Sequence, residues 1–270
     1  MGSLQERGSH GNLIRSVEIV PAKTLAADDI EGASQILSDV VDMVTVPENP
    51  MGKPGIDPVA TLIELTRGTH IVPVPHISPR DKNSLYIRSQ VLTALKFGIR
   101  KFFVIGGDKI SDEVGSKEVR EIDIFETISL IRNTASNAGI NVEVGTALNP
   151  YRPNELEFFK KKKEAKASFF ITQVLTSPAS LVDGGFSANG VGLLAGFMPI
   201  KKRSTLQFLE KLGVPVKGTR FERISESEDP LEESIRAIME TVDEMKHLIT
   251  GVHIMPMGDY ATAKRILECI

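Results

Sequence analysis

Short apolar runs rich in Val, Ile and Phe recur along the whole chain, near residues 15–21, 40–46, 69–77, 101–107, 141–148, 168–175, 191–198 and 251–257. Their length and β-branched content predict strands. Between them apolar positions fall three and four apart, which predicts amphipathic helices near 25–38, 57–68, 83–97, 121–138, 153–166, 203–213 and 230–249, with 259–269 closing the chain. The stretch "SPASLVDGGFSANG" between the sixth and seventh strands carries the weakest helical pattern. Strands apolar on both faces and alternating with helices predict a parallel sheet covered by helices. Eight such units in 270 residues predict a single-domain closed (β/α)8 TIM barrel over residues 14–270. An open doubly wound sheet is the alternative, but no glycine-rich dinucleotide fingerprint follows any strand. No shift in composition marks a second domain.

Two of the connections after strands are long. "PENPMGKPG" follows the second strand and "GGDKISDEVGSKE" follows the fourth, against a usual βα loop of about 2–6 residues. In a barrel both lie at the C-terminal face, where active sites are built.

Four polar side chains interrupt the apolar strands. Glu18 stands inside "VEIVPAKT" and reads as mid-strand; His76 stands in "VPVPHIS", Asp108 ends "FFVIGGD", and Gln173 stands in "FFITQV". A buried carboxylate costs several kcal/mol unless it is paired or used. Each of the four taken singly reads as a satisfied core or capping residue. Taken together, on different strands of one barrel and aimed at one face, they predict a site. The two glycines before Asp108 either let a flat ligand approach the backbone or simply make a tight turn. The run Lys160–Lys163 reads as a solvated helix face; the alternative is that one of its lysines reaches a phosphate near the mouth. His253 reads as structural.

Composition narrows the function classes. A formal net charge of −3 points to neither a nucleic-acid nor a membrane surface. No apolar run approaches the roughly 20 residues that span a bilayer. The polar start, "MGSLQERGSHGN", lacks a signal core and reads as a disordered leader over residues 1–13, so a cytoplasmic location is expected. The single cysteine, Cys269, excludes an intrachain disulfide and a cysteine-built metal site; it reads as a helix-packing residue. There is no Ser/His/Asp grouping, HExxH motif or P-loop, and no metal is expected.

These motifs resemble the methylenetetrahydrofolate reductase family. "VEIVPAKT" is similar to its first-strand Phe-Glu-Phe-Phe-Pro-Pro-Lys. "VPHISPRDKN" followed by "GIRKFFVIGGD" is similar to its Pro-His-Leu-Thr-Cys segment followed by Gly-Ile-Arg and Arg-Gly-Asp. "KASFFITQ" resembles its Ala-Asp-Phe-Ile-Ile-Thr-Gln strand, "GFMPIKKRSTLQFLEKLGVPV" its Gly-Ile-Met-Pro-Ile segment, and "GVHIMPM" holds the place of its last strand. The match runs in order over most of residues 14–270.

The resemblance implies a flavoprotein of one-carbon metabolism and methionine biosynthesis that reduces a pterin-bound methylene group to methyl. It implies Glu18 as general acid and Asp108 as the residue between flavin and pterin. It also implies His76, Gly107, Asp108 and Lys162 as contacts to FAD, and Gln173 as the pterin-holding residue. NAD(P)H or a protein electron donor would supply electrons to a methylene-tetrahydropterin substrate, and a homo-oligomer or a partner subunit is expected. The departures concern the surroundings of the acid. Gly106 replaces the family arginine, which implies weakly bound FAD. "VPENPMGKPG" replaces a Tyr-Gly-Ala segment, "VLTS" replaces the aromatics and Asp after Ile-Thr-Gln, and "PMGD" replaces Leu-Asn-Arg. Two rivals stand beside the flavin-dependent reductase: a flavin-free relative taking hydride directly from a nicotinamide, and a non-catalytic pterin-binding or scaffold barrel.

Overall fold

The eight strands pair in chain order, each parallel to the next, and the last returns to the first: β1-β2-β3-β4-β5-β6-β7-β8 form a closed barrel. The structure, a computed structural model, describes residues 13–21, 28–188 and 190–270, with side chains in the first helix from Gly32 onward. The expected leader lies outside the described residues except for Leu13, which packs against the core.

The strands are β1 (Ile14–Glu18), β2 (Met43–Val46), β3 (Val72–Ile77), β4 (Lys101–Val104), β5 (Glu143–Leu148), β6 (Phe169–Val174), β7 (Gly192–Phe197) and β8 (Gly251–Ile254). The helices are α1 (Asp28–Leu37), α2 (Pro58–Leu65), α3 (Ser84–Lys96), α4 (Ile124–Asn137), α5 (Glu155–Glu164), α6 (Ala179–Val182), α7 (Arg203–Lys211), α8 (Pro230–Met245) and α9 (Tyr260–Glu268). The weak pattern between β6 and β7 yields only the single turn of α6. Side-chain oxygens start five of the helices: Asp57, Asn83, Asp123, Asp229 and Asp259 each accept from backbone N–H groups of the first turn of α2, α3, α4, α8 and α9.

Residue parity decides which side chains fill the barrel. Val17, Val44, Val46, Phe102, Val104, Phe170, Leu193, Val252 and Ile254 point outward and belong to one large core with the helices. Ile14, Met43, Val72, Val74, Phe103, Phe169, Ile171 and Leu194 point inward and form a separate core inside the barrel. Phe169 is fully buried, its ring stacked 6.0 Å from that of Phe103; truncation to Ala would cost about 3–5 kcal/mol. At the N-terminal end Lys101, in register with Glu143, makes an ion pair with it, and buried Ile14, Met43 and Val72 complete that floor.

One reading from sequence changes here. Glu18 is the last residue of β1, not a mid-strand residue. Ile19 N–H still donates to Thr45 O (2.8 Å), but the next donor in a parallel ladder would be residue 21. That residue is Pro21, which has no N–H. The strand ends there and leaves Glu18 at the C-terminal mouth. Cys269 also differs: it caps α9, its thiol is exposed, and it donates to Arg265 O (3.3 Å) rather than packing in the core.

Candidate active site at the barrel mouth

The inner wall is two-sided. On β8, β1, β2 and β3 the inward positions near the mouth are His253, Ser16, Glu18, Thr45 and His76. The opposing wall, from β4 to β7, carries Phe103, Phe169, Ile171 and Leu194. A carboxyl placed between an apolar wall and buried hydroxyl and imidazole groups is poorly hydrated. Glu18 is half-buried, and its pKa is pushed up to about 7, first by burial and second by the negative charge of Asp108. It is therefore poised to hold and release a proton near neutral pH.

Beneath it, Ser16 Oγ and His253 Nδ1 are hydrogen-bonded at 2.8 Å across the β1–β8 pair. His253 thus has a structural partner, as its position in the last strand suggested. His76 is buried, its ring 4.8 Å from that of Phe103. Burial holds His76 and His253 neutral, each with a pKa lowered to about 3; His76 is further lowered by His253. Both ring nitrogens of His76 and the Thr45 hydroxyl are buried with no protein partner. Buried polar atoms are almost always bonded, so these three atoms mark places for a ligand group or an ordered water.

Asp108 follows the bend at Gly107, whose φ of 77° is in the left-handed region. A Cβ on Gly107 would stand 2.5 Å from Ser78 Oγ and 3.1 Å from Arg80 Cβ, so only glycine fits. Asp108 is exposed at the rim. Its Oδ2 accepts from Met51 N–H (2.8 Å), and its carbonyl accepts from the Arg80 guanidinium. Arg80, 1% exposed, also pairs with Asp81. A Cβ at Gly106 would meet nothing within 4 Å, so the bare backbone faces open space where the family arginine would stand.

Gln173 reaches the mouth through an irregularity. The β6–β7 register shifts between Ile171 and Val174, and the Thr172 hydroxyl takes the place of a ladder carbonyl by accepting from Gly196 N–H (2.8 Å). Gln173 is half-buried, and its Oε1 accepts from Val174 N–H (2.9 Å). Lys162 is the buried member of the lysine run; Lys160 and Lys161 are exposed and Lys163 half-buried. The Lys162 ammonium donates to Glu155 Oε1 (2.9 Å) and Ala147 O (2.7 Å). Burial lowers its pKa, opposed by Glu155.

Glu18, His76, Asp108 and Gln173 therefore share the C-terminal mouth, while Lys162 stands behind β5 with its charge already engaged. A group not evident in the sequence supports the rim. Glu48, 7% exposed, accepts from Ser78 N–H (2.6 Å) and from Lys82 Nζ (2.6 and 2.7 Å), and Lys82 donates also to Gln90 Oε1 (2.7 Å). Glu48 and Lys82 lie in the loops after β2 and β3, outside any apolar run. Their only signal was charge within the unusual "VPENP" and "SPRDKN" segments. No group of three or more metal-ligating side chains occurs among the described residues, and no helix among them is long and apolar enough to cross a membrane.

A closed barrel with a sealed floor and a titratable carboxyl at its C-terminal mouth is a (β/α)8 barrel of the kind that carries its chemistry on that face. The methylenetetrahydrofolate reductase family model matches residues 6–270, and the chain belongs to that enzyme family. Among solved structures, an uncharacterized protein from Clostridium thermocellum superposes with a TM-score of 0.70 at 15% identity, covering 99% of this chain and 100% of that one. Oxaloacetate acetylhydrolase (TM-score 0.55, 10% identity, 97% and 82% covered) and orotidine 5'-monophosphate decarboxylase from Methanocaldococcus jannaschii (0.53, 9%, 95% and 98%) share the barrel. No curated protein matches the sequence.

Proposed function

We propose that this protein reduces a methylene group carried on a tetrahydropterin, 5,10-methylenetetrahydrofolate or a modified pterin, to the 5-methyl form. The observation that carries the reading is Glu18: a carboxyl at the mouth, its pKa raised to about 7, in a chain of this family. Protonation of a bridge nitrogen by Glu18 opens the methylene bridge to an iminium cation. The Asp108 carboxylate favours that cation electrostatically, and the arriving hydride completes the methyl group. Gln173 holds the pterin. The Clostridium thermocellum barrel is described as binding two copies of 5-methyl-5,6,7,8-tetrahydrofolic acid, which is the product class assigned here.

The residues fit a flavin at its ring end. The unpartnered His76 nitrogens provide polar atoms for the ring system. Bound there, FAD would supply the hydride, held by His76, Gly107 and Asp108. The phosphate end fits less well, because Lys162 is committed to Glu155 and Ala147 O and Gly106 has no side chain. That same observation favours a second reading, direct hydride transfer from NAD(P)H without flavin. A protein electron donor, a homo-oligomeric state and a cytoplasmic location accompany the first reading as expectations. The deciding experiment is the visible spectrum of the purified protein with and without added FAD, alongside methyl-pterin formation from methylenetetrahydrofolate. Product without any bound chromophore selects the second reading, and no product with either donor rejects both.

A further inference from the structure

The loop from Pro47 to Asp57 is held in an unusual form. Asn49, Met51 and Gly52 have φ of 44°, 57° and 66°. Two of these three left-handed residues carry side chains, and such residues persist only where their surroundings over-determine them. The Asn49 side chain donates to Asp81 Oδ2 (3.0 Å) and accepts from Gly55 N–H (3.0 Å). Gly52 O accepts from Ser111 N–H (3.0 Å), and Lys53 Nζ lies 2.9 Å from Glu113 Oε2. A Cβ at Gly52 would run into the carbonyl of Lys109. The Asn49 bonds fix the loop's own shape and tie it to the segment after β3, while the Gly52 and Lys53 contacts seat it on the segment that begins at Asp108, with the Met51 N–H pointing at the Asp108 carboxylate.

We propose that the β2–α2 loop is part of the acid machinery, with the Met51 amide as a positioning donor that holds the Asp108 carboxylate beside Glu18. An exposed aspartate at the end of a bend would otherwise swing between rotamers, and its charge would be screened by water. Held by Met51 N–H, and with its main chain held by Arg80, its charge stays where Glu18 feels it. The other ionisable groups on the neighbouring inner wall are His253 on β8 and His76 on β3, both neutral above a pKa of about 3. Asp108 is thus the charge that the loop can move. The proposal rests on Glu18 as the acid for its purpose, but its test does not need the reaction.

The full chain, labelled with carboxyl-13C glutamate, is titrated by NMR without substrate or flavin, and the Glu18 signal is assigned by its loss in Glu18→Gln. Gly52→Ala should displace the loop. Ser111→Pro removes the donor to Gly52 O at a φ of −62° that proline accepts. Both should lower the Glu18 midpoint by about half a unit to one unit, with faster amide exchange at Met51. Asp108→Asn should lower it too, and adding Gly52→Ala to Asp108→Asn should lower it no further. A midpoint unmoved in the loop variants, or shifts that add in full, overturns the proposal. If Gly52→Ala does not fold, the Ser111→Pro and Asp108→Asn cycle decides by the same criterion. Should methyl-pterin formation be absent while this titration pattern holds, the proposed function fails and the positioning role stands.

Discussion

Glu18→Gln separates the proposed acid from its scaffold. The substitution preserves shape and hydrogen-bonding capacity but cannot deliver a proton. An ordinary glutamate with a pKa of 4.5 is protonated to only about 0.3% at pH 7, whereas one at about 7 is about half protonated. The mouth therefore raises the population of competent acid on the order of a hundredfold. Loss of general-acid help is worth about 10²–10⁴ in rate, or roughly 3–5 kcal/mol of barrier. The assay is single-turnover formation of methyl-pterin from methylenetetrahydrofolate, with reduction of the enzyme by its donor followed separately. The variant should fold, bind its cofactor and accept electrons, yet form product at least about a hundredfold more slowly. The wild-type rate should fall as pH rises through about 7, where Glu18 loses its proton. If product forms within a few-fold of the wild-type rate, or the alkaline limb survives in Glu18→Gln, Glu18 is not the acid.

Gly106→Arg should raise FAD affinity about ten- to a hundredfold, the worth of one charge-assisted hydrogen bond; equilibrium dialysis with unchanged or weaker binding would show that the open space over Gly106 is not where the phosphates lie. Lys82→Met should destabilise the fold by about 3–5 kcal/mol by leaving Glu48 buried without its cation, measured by urea unfolding; a loss below about 1 kcal/mol would mean that water reaches Glu48. Stability should depend on pH with two opposing signs. His76 and His253, with folded pKa values depressed to about 3, give stability that is complete above 6.5 and lost as pH falls toward 3. Glu18, whose folded pKa is raised, gives stability that is complete below 4.5 and lost as pH rises through about 7. Unfolding midpoints should accordingly show Glu18→Gln gaining on wild type as pH rises from 4.5 through about 7, and equal pH profiles would contradict the burial of the carboxyl.

The barrel was legible because its signals are periodic: valine-rich runs apolar on both faces, and an Asp or Asn at the start of five helices. The candidate residues Glu18, His76 and Gln173 were legible for the converse reason, as polar exceptions in those runs. What the pattern left out was the extent of β1, because the missing rung at Pro21 depends on the pairing register with β2. It also left out the Glu48–Lys82–Gln90 group and Arg80. Glu48, Arg80 and Lys82 sit in the connections after β2 and β3, where a charge carries no expectation of burial, and only the meeting of these connections with one another and with Gln90 of α3 dehydrates them. Lys162 was misleading in the opposite way. Four consecutive lysines look equivalent, yet the helical turn sends one inward to Glu155 and the other three to wetter positions.

The ion pair of Lys101 with Glu143, set among buried Ile14, Met43 and Val72, has a consequence for timing. With that end packed, Glu18 exchanges protons with solvent only through the C-terminal mouth. A ligand seated there would stand in the same path, so the carboxyl would keep through each visit the protonation state it had when the ligand arrived.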